Sequence, residues 1–346
     1  MIYLDHAATS PLQPAAKEAM LAAMEAVGNP SSLHSGGVRA KAVLEERRAA
    51  IADCLGCDPK EVLFTSGGTE ANALALHGRS RVLTSPMEHP SVLRNCADPL
   101  LFSVGKAGIA EILPPYGGVD LVSLQYANGE TGLFQPVEEL GGLCRDRGIL
   151  FHSDGVQGVG KVEIDLHRLP VDLLSFAAHK FGGPVGIGGL YCKADTPLFP
   201  LYRGGTPHGG TQSAVLAAGM AAALRRSLEH RREKDAYLSR MGETIKEKIT
   251  RLGGVETGEG KRLPGHLHFR FPNRDGEALA ARLDLFGVCV SAGSACHSGS
   301  HTPSPTLLAM GFGENEASQG LRITLGEENT PEEMAAFLSL LEGILT

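Results

Sequence analysis

Asp154 and Lys180 each follow an apolar segment and could act together on one ligand. The segment ILFHSD ends in Asp154, the segment DLLSFAAHK ends in Lys180, and each stands before a glycine-rich turn. A carboxylate and a lysine in one α/β cleft suit pyridoxal phosphate (PLP). The lysine forms a Schiff base with the aldehyde, and the carboxylate pairs with the protonated ring nitrogen. Taken singly, such residues are more often an exposed lysine and a helix-capping aspartate.

The stretch TSGGTEANALAL is typical of a phosphate site at a helix N-terminus. It reads as a strand, a glycine turn and a helix that begins near Thr69, with Glu70 in its first turn. Backbone N–H groups at the start of a helix bind anions. We therefore expect Gly68 and Thr69 to donate to the phosphate, with an ordinary helix cap as the alternative.

Three further polar residues extend this candidate site. His89, in SPMEHPSVL, could stack on a flat cofactor and move protons at neutral pH, although a structural histidine is the alternative. Gln157 follows Asp154 closely and could donate to the phenolic oxygen of the cofactor. Arg322, in LRITLG, is a candidate clamp for a substrate carboxylate.

A cysteine stands in the middle of a segment that is unsuited to a core, VCVSAGSACHSGSHTPSP at residues 288–305. Gly293 and Gly299 can adopt positive φ there, so the segment is predicted to be a mobile loop. Cys296 could be a small buried hydrophobic residue, a metal ligand together with His297 and His301, or a nucleophile. The third interpretation needs a partner elsewhere in the chain, and PLP bound by Lys180 would provide one.

Short apolar strands alternate with helices over the first two thirds of the chain. This pattern predicts an α/β fold with a mostly parallel sheet that binds its ligand at the carboxyl ends of the strands. A charged helix at about 228–252 is expected to lead to a smaller α+β domain. The predicted strands are 61–66, 81–85, 121–126, 149–154, 172–178, 188–193, 266–271 and 288–293. The predicted helices are 13–27, 38–54, 70–77, 136–147, 214–226, 275–285 and 331–345.

Composition narrows the class of protein. The chain has 346 residues, 42% hydrophobic and 21% charged, with a net charge of −7 and no basic block, so a globular protein that does not bind nucleic acid is expected. No apolar run approaches the roughly 20 residues that span a bilayer, and no signal peptide is expected. The seven cysteines are scattered, which favours reduced thiols in the cytoplasm, and Cys54 and Cys57 are expected to pack in the interior.

Taken together, these motifs resemble the cysteine desulfurases of the NifS/IscS type, in the class V branch of the fold-type I PLP enzymes. The matching stretches include YLDHAATSP, GNPSSLHSGG, EVLFTSGGTEAN, NGETGLFQPV, FHSDGVQGVGKVEIDL and SAGSACHSGS, and together with the others they cover nearly the whole chain. The resemblance implies a large PLP-binding domain at 13–230. It also implies a small domain at 231–346, joined by an N-terminal arm at 1–12, that carries the cysteine loop.

The resemblance also implies a reaction and partners. L-cysteine would become L-alanine, Lys180 would remove the Cα proton with help from His89, and the Cys296 thiolate would take the sulfur as a persulfide. His179 is expected to bind the cofactor, and Asn128 is expected to bind the substrate together with Arg322. Thr211 would reach the phosphate of the partner subunit in a homodimer. A sulfur-acceptor protein, serving iron–sulfur assembly or thiolation of tRNA or DNA, would receive the sulfur.

Three positions depart from the pattern of the family. Gly129 stands where the family has a cofactor-facing Asn, Ala177 stands where it has a phosphate-binding Ser or Thr, and the segment between Gly205 and Thr211 is short and lacks an arginine stretch. With these changes, weaker binding of the cofactor is one alternative. The alternatives are therefore a selenocysteine lyase or aminotransferase-like enzyme, or a weakly PLP-binding scaffold subunit for sulfur transfer.

Overall fold

A computed structural model describes residues 1–112, 117–202, 210–293 and 302–346. Strands and helices are numbered along the chain. The strands are β1 Ile2–Tyr3, β2 Val62–Thr65, β3 Val82–Thr84, β4 Leu100–Leu101, β5 Leu121–Ser123, β6 Leu150–Asp154, β7 Leu173–Ala177, β8 Gly188–Cys192, β9 Val255–Glu256, β10 His266–Arg270, β11 Val288–Cys289 and β12 Gly320–Thr324. The α-helices are α1 Pro14–Ala23, α2 Ser35–Leu55, α3 Gly68–Leu76, α4 Pro90–Leu93, α5 Val137–Asp146, α6 Ala214–Glu229, α7 Arg231–Arg251, α8 Gly276–Asp284, α9 Pro305–Ala309, α10 Glu314–Ala317 and α11 Pro331–Leu345.

The main sheet consists of seven strands among the described residues, in the order β2-β8-β7-β6-β5-β3-β4. Neighbouring strands from β4 through β7 pair in parallel, and β8 runs against both β7 and β2. All strands except β8 therefore end at the same edge. Strand β7 is buried over its whole length, as expected for a parallel sheet covered on both faces. The predicted α/β class with a mostly parallel sheet is confirmed.

Helices cover both faces of the main sheet because each presents an apolar stripe to it. On one face, α2 and α6 pack with residues such as Ile51 and Leu224 against Phe151 and Phe176 of the strands. On the other face, Leu74 of α3 joins a separate apolar cluster. Helix α3 begins directly after β2 and packs into this cluster. Its first turn therefore lies at the edge where the strands end.

A second core forms around a smaller antiparallel sheet in the order β12-β10-β9. Phe269, Leu321 and Phe337 are fully buried in it, and Leu4 of the N-terminal segment lies in the same core. Strand β1 pairs with β11, so the start of the chain joins this part of the molecule. The boundaries 13–230, 231–346 and 1–12 stay a prediction.

Several predicted elements differ from the observed ones at their ends. The strand expected at 288–293 is only Val288–Cys289, because β1 offers just two residues to pair with it, and Ser291 forms a separate bridge with Arg322. Helix α2 ends at Gly56, which has the left-handed conformation that glycine adopts without strain. Cys54 and Cys57 beside it pack against the main core, as expected. None of the helices in the described ranges is long and apolar enough to cross a membrane.

His152 lies inside the main sheet and links three strands. Its Nδ1 and Nε2 are 2.9 and 3.0 Å from the hydroxyl oxygens of Ser123 and Ser175. Burial lowers its pKa to about 4, although the charge of Asp154 acts in the opposite direction. The folded protein therefore keeps His152 neutral at a pH where the unfolded chain would protonate it.

This difference predicts a pH-dependent free energy of unfolding. Because the pKa is lower in the folded state, the stabilisation is present above pH 6.5 and is lost as the pH falls towards 4; it amounts to about 3 kcal/mol at most for this group. His152→Asn should flatten that part of the profile in urea titrations between pH 4 and 7. The matched control is His77→Asn, at an exposed histidine, which should leave the slope unchanged. Equal slopes in all three proteins would contradict the assignment.

Candidate active site

The carboxyl edge of the main sheet brings together several of the predicted site residues. Asp154 is the last residue of β6, and Lys180 ends a short 3₁₀ turn, Ala178–Lys180, directly after β7. Since β6 and β7 are parallel neighbours, both residues lie at one edge. His89 follows β3 and caps α4, so it belongs to the same edge.

A buried hydrogen-bond network connects Asp154 to His89. Asn72, in α3, donates from Nδ2 to Asp154 Oδ2 at 2.7 Å and to Ser91 Oγ at 2.9 Å. Ser91 Oγ lies 2.7 Å from His89 Nδ1, and the Ser91 N–H donates to the same nitrogen at 3.1 Å. Because Nδ1 accepts, the neutral imidazole carries its proton on Nε2. The His89 side chain is exposed at the edge, where a planar ligand could cover it.

Glu88 is a second carboxyl group beside this network. Its side chain is buried, and its Oε1 accepts from the Gln125 N–H at 2.8 Å. Burial, followed by the charge of Asp154, raises the pKa of Glu88 well above its ordinary value. The shift favours the neutral form of Glu88 and so limits its competition with Asp154 for a protonated ring nitrogen.

The amine of Lys180 is held by the N-terminal segment. Its Nζ donates to the backbone oxygens of Ala7 and Ala8 at 2.7 and 2.8 Å. Ala7 O also accepts from Gln157 Nε2 at 3.0 Å. One carbonyl therefore places the lysine from the turn after β7 next to the amide from the turn after β6.

Arg322 is almost fully buried, and its guanidinium is anchored on two sides. It donates to Asp5 Oδ1 at 2.7 Å and to Gly129 O at 2.9 Å. Within the described part of the chain, its Nε has no hydrogen-bond partner. A buried donor without a partner is costly, so this nitrogen is a suitable contact for a substrate carboxylate.

Asn128 is engaged in holding its own turn. Its Oδ1 accepts from the N–H groups of Glu130 and Thr131, and its Nδ2 donates to Met87 O at 3.2 Å. This turn presents Gly129 O to Arg322. The geometry gives Asn128 a structural contribution, and its contact with substrate stays a prediction.

The expected phosphate end lies at the start of α3. A Cβ on Gly68 would come within 2.6 Å of Val156 and 3.6 Å of the Ala177 methyl, so only glycine allows this close approach. Ala177 is buried against that turn and offers no hydroxyl. The donors at this end are therefore backbone N–H groups, including those of Gly68 and Thr69. The Thr69 side chain itself is exposed.

His179 and Thr211, which are also expected to contact the cofactor, lie in different parts of the chain, after β7 and before α6. His179 Nδ1 is 3.2 Å from Thr9 Oγ1. Burial, then the charges of Lys180 and Lys161, lower its pKa to about 4, so it is neutral at physiological pH. Thr211 is exposed before α6, consistent with a contact outside its own subunit.

Cys296, His297 and His301 lie outside the described residues, and so does the segment 205–209. The two flanks of the cysteine segment are described. Ser291 pairs through its backbone with Arg322, and Ser304 Oγ donates to Glu130 Oε1 at 2.6 Å. The first flank therefore lies beside Arg322, and the second lies beside Glu130, the neighbour of Gly129 in the chain. Within the described ranges, no group of three or more His, Cys, Asp or Glu side chains could hold a metal ion.

The comparisons with known proteins agree with this geometry. The family model for class-V aminotransferases matches residues 2–99 and 116–337. The chain belongs to the class-V aminotransferase family. An IscS-like cysteine desulfurase from Mycobacterium tuberculosis is 36% identical over 381 residues, which cover 99% of this chain and 96% of the relative. These matches confirm the resemblance to the NifS/IscS type.

Solved structures of this class-V group share the fold. A NifS-like protein from Rickettsia africae has a TM-score of 0.92 and 31% identity, with 99% of each chain covered. The structure described as SspA in complex with cysteine has a TM-score of 0.81 and 28% identity, covering 94% of this chain and 99% of that one. The predicted fold-type I architecture is confirmed.

The residues present fit the PLP that this class-V family uses. Asp154 can face a ring nitrogen, since its two oxygens are already oriented by Asn72 and by the Val156 N–H. Lys180 supplies an amine, and the N-terminus of α3 supplies N–H donors to a phosphate. The position of Ala177 removes one donor at the phosphate end but introduces no clash.

Asn72, Ser91, Lys161 and Glu130 were not predicted from the sequence. An asparagine inside the apolar stretch ANALAL was the available signal for Asn72, because a buried amide needs partners. Lys161 lies one helical turn after Gln157, a spacing that brings side chains together. The contact of Glu130 with Ser304 joins distant parts of the chain, and local patterns carry no signal for it.

The network around Asn72 predicts a specific loss. Asn72→Leu would leave Asp154 Oδ2 and Ser91 Oγ without their buried donor, at a cost of about 1–3 kcal/mol in the free energy of unfolding. Cofactor retention should fall as well, because Asp154 would lose its orientation. Urea unfolding of the apo-protein and the PLP content after gel filtration measure the two effects. The control Asn95→Leu removes an exposed amide that donates only to Ser91 O, and an equal loss in that variant would contradict the role of Asn72.

Proposed function

We propose that this protein is a PLP-dependent cysteine desulfurase that converts L-cysteine to L-alanine and passes the sulfur to an acceptor through Cys296. The observation that carries the proposal is the shared contact at Ala7 O, which brings Lys180 and Gln157 together at the edge where Asp154 ends β6. The relatives named cysteine desulfurases support the choice of reaction within the family.

Different residues of the cleft would bind different parts of the cofactor. Asp154 would pair with the protonated ring nitrogen, Gln157 would donate to the phenolic oxygen, and His89 would cover the ring. Gly68 and Thr69, with His179, would hold the phosphate. When bound, PLP supplies an aldehyde that accepts amines and a ring that withdraws electrons from the substrate Cα.

The residues that bind the substrate and react with it are Arg322, Lys180, His89 and Cys296. Arg322 binds the carboxylate through the side of its guanidinium that has no partner in the described structure. Lys180 takes the Cα proton, and the Nε2–H of His89 assists further proton transfer. The Cys296 thiolate attacks the substrate sulfur and the carbon–sulfur bond breaks. The electron pair of that bond stays on Cβ, which takes up the proton that Cys296 released when it ionised. The sulfur stays on Cys296 as a persulfide, the other proton returns to Cα, and alanine leaves.

We propose that the enzyme acts as a homodimer. Large apolar side chains are exposed along residues 21–38, where exposed apolar surface typically marks an interface. They are Leu21, Met24, Val27, Leu33 and Val38. Thr211, which is also exposed, would then contact the phosphate bound by the partner subunit.

The partners are L-cysteine and a sulfur-acceptor protein. The cysteine bound by SspA supports the first, since that protein shares this fold. An iron–sulfur scaffold or a protein of tRNA or DNA thiolation would provide the second. We place the enzyme in the cytoplasm, where its described cysteines, all free thiols, would stay reduced.

The nucleophile can be tested by substitution. Cys296→Ser should lower the rate of alanine release from L-cysteine at least about 100-fold, because a hydroxyl is a poor substitute for a thiolate. Cys289→Ser, at a half-buried cysteine before the same segment, is the matched control and should keep the rate. Lys180→Ala should lose both alanine release and the visible absorbance of bound PLP. Full release of alanine by Cys296→Ser would favour a reaction of the selenocysteine lyase type, in which the sulfur does not pass through Cys296.

A further inference from the structure

A tight turn after β6 places Lys161 close to the residues that are proposed to bind the cofactor. Residues 155–162 form successive turns, with the Val159 N–H donating to Gly155 O at 2.8 Å. Gly160 has a φ of +75°, and a Cβ there would lie 2.4 Å from Phe181 Cβ. Only glycine permits this contact, which brings the side chain of Lys161 towards the turn that carries Lys180.

The side chain of Lys161 binds the one oxygen of the Gln157 amide. Lys161 Nζ donates to Gln157 Oε1 at 2.6 Å, while Gln157 Nε2 donates to Ala7 O at 3.0 Å. A rotated amide would place its oxygen against the carbonyl of Ala7, and that contact would be repulsive. The carbonyl of Ala7 therefore requires the NH₂ end of the amide, and the contact of Lys161 with the oxygen holds the other end in place.

This orientation exposes the donor end of the amide to the cleft. A Cβ on Gly129 would lie 3.4 Å from Gln157 Nε2, so the NH₂ group borders the space that glycine leaves open at that position. One hydrogen of the NH₂ is used by Ala7 O, and the second remains for a ligand oxygen. Without Lys161, the amide would keep only the contact with Ala7 and could pivot about it.

Lys161 is also electrostatically coupled to its surroundings. Burial lowers its pKa well below the ordinary value, and the charges of Lys180, Arg322 and Lys234 act in the same direction. The charged and titratable groups that interact with it are Lys180, Arg322, Lys234, His6, His179 and His266. These effects favour the neutral amine of Lys161, and an anionic oxygen nearby would favour its charged form.

We propose that Lys161 is a positioning residue that holds the Gln157 amide with its NH₂ towards the phenolic oxygen of PLP. The inference rests on the proposed function, because it concerns the same cofactor. Lys161 itself acts through Gln157. It thereby determines both the strength of cofactor binding and the ionisation of the bound cofactor.

Lys161→Met tests this role with the full-length protein. Apo-protein reconstituted with PLP should bind it about fivefold more weakly, as expected for one lost hydrogen bond. The pH midpoint of the visible absorbance change of bound PLP should rise by about half a unit, because the Gln157 donor is no longer held towards the phenolic oxygen. Lys234→Met is the matched control, since its ammonium lies near Gly160 O and Ser227 O and does not contact Gln157.

A double-variant cycle separates positioning from folding. In a Gln157→Met background, Lys161→Met should change PLP affinity less than twofold, because the group it positions is already absent. An equal change in both backgrounds, or a shift of the same size in Lys234→Met, would overturn the proposal. If wild-type protein neither binds PLP nor releases alanine, the proposed function fails instead. Normal wild-type behaviour with an unchanged Lys161→Met variant refutes only the role of Lys161.

Discussion

Positive charge gathered in one partly buried cleft is the constraint on which the site depends. Lys161, Lys180 and Arg322 lie close enough that, in addition to burial, the latter two lower the pKa of Lys161. Asp5 neutralises one side of Arg322. Basic groups that are buried together keep their charge only beside anionic partners. A cofactor with a phosphate and a phenolic oxygen, and a substrate with a carboxylate, would supply the missing negative charge. Affinity for such ligands is therefore a consequence of how the cleft is built.

The N-terminal segment joins the parts that create this cleft. Ala7 N donates to Thr324 Oγ1 of β12, and Ala7 O accepts from Lys180 and Gln157 beside the main sheet. Arg322, also on β12, reaches Gly129 O. The smaller sheet thus positions Arg322, and the main sheet positions Lys180 and Asp154. Since Ser291 pairs with Arg322, the segment that carries the cysteine begins beside Arg322.

Site residues could be predicted best from the sequence where a reactive side chain stands at the end of a strand. Asp154 and Lys180 could be found because each follows an apolar run before a glycine turn, and parallel strands end at one edge. Predicted strand ends were less reliable, as at residues 288–293, where the pairing partner β1 is only two residues long. Asn72 and Lys161 escaped prediction because their importance depends on which side chains the folded chain places opposite them. The contact of Glu130 with Ser304 spans distant parts of the chain and could only come from the structure.

The central claim is that sulfur leaves the cleft on Cys296. The most direct measurement is mass spectrometry of the peptide that carries Cys296, taken from wild-type holoenzyme after exposure to L-cysteine without an acceptor, with alanine quantified in the same sample. The peptide should gain the mass of one sulfur atom on Cys296, in proportion to the alanine released in the first turnover. Release of alanine and sulfide with Cys296 unmodified at every time point would contradict it.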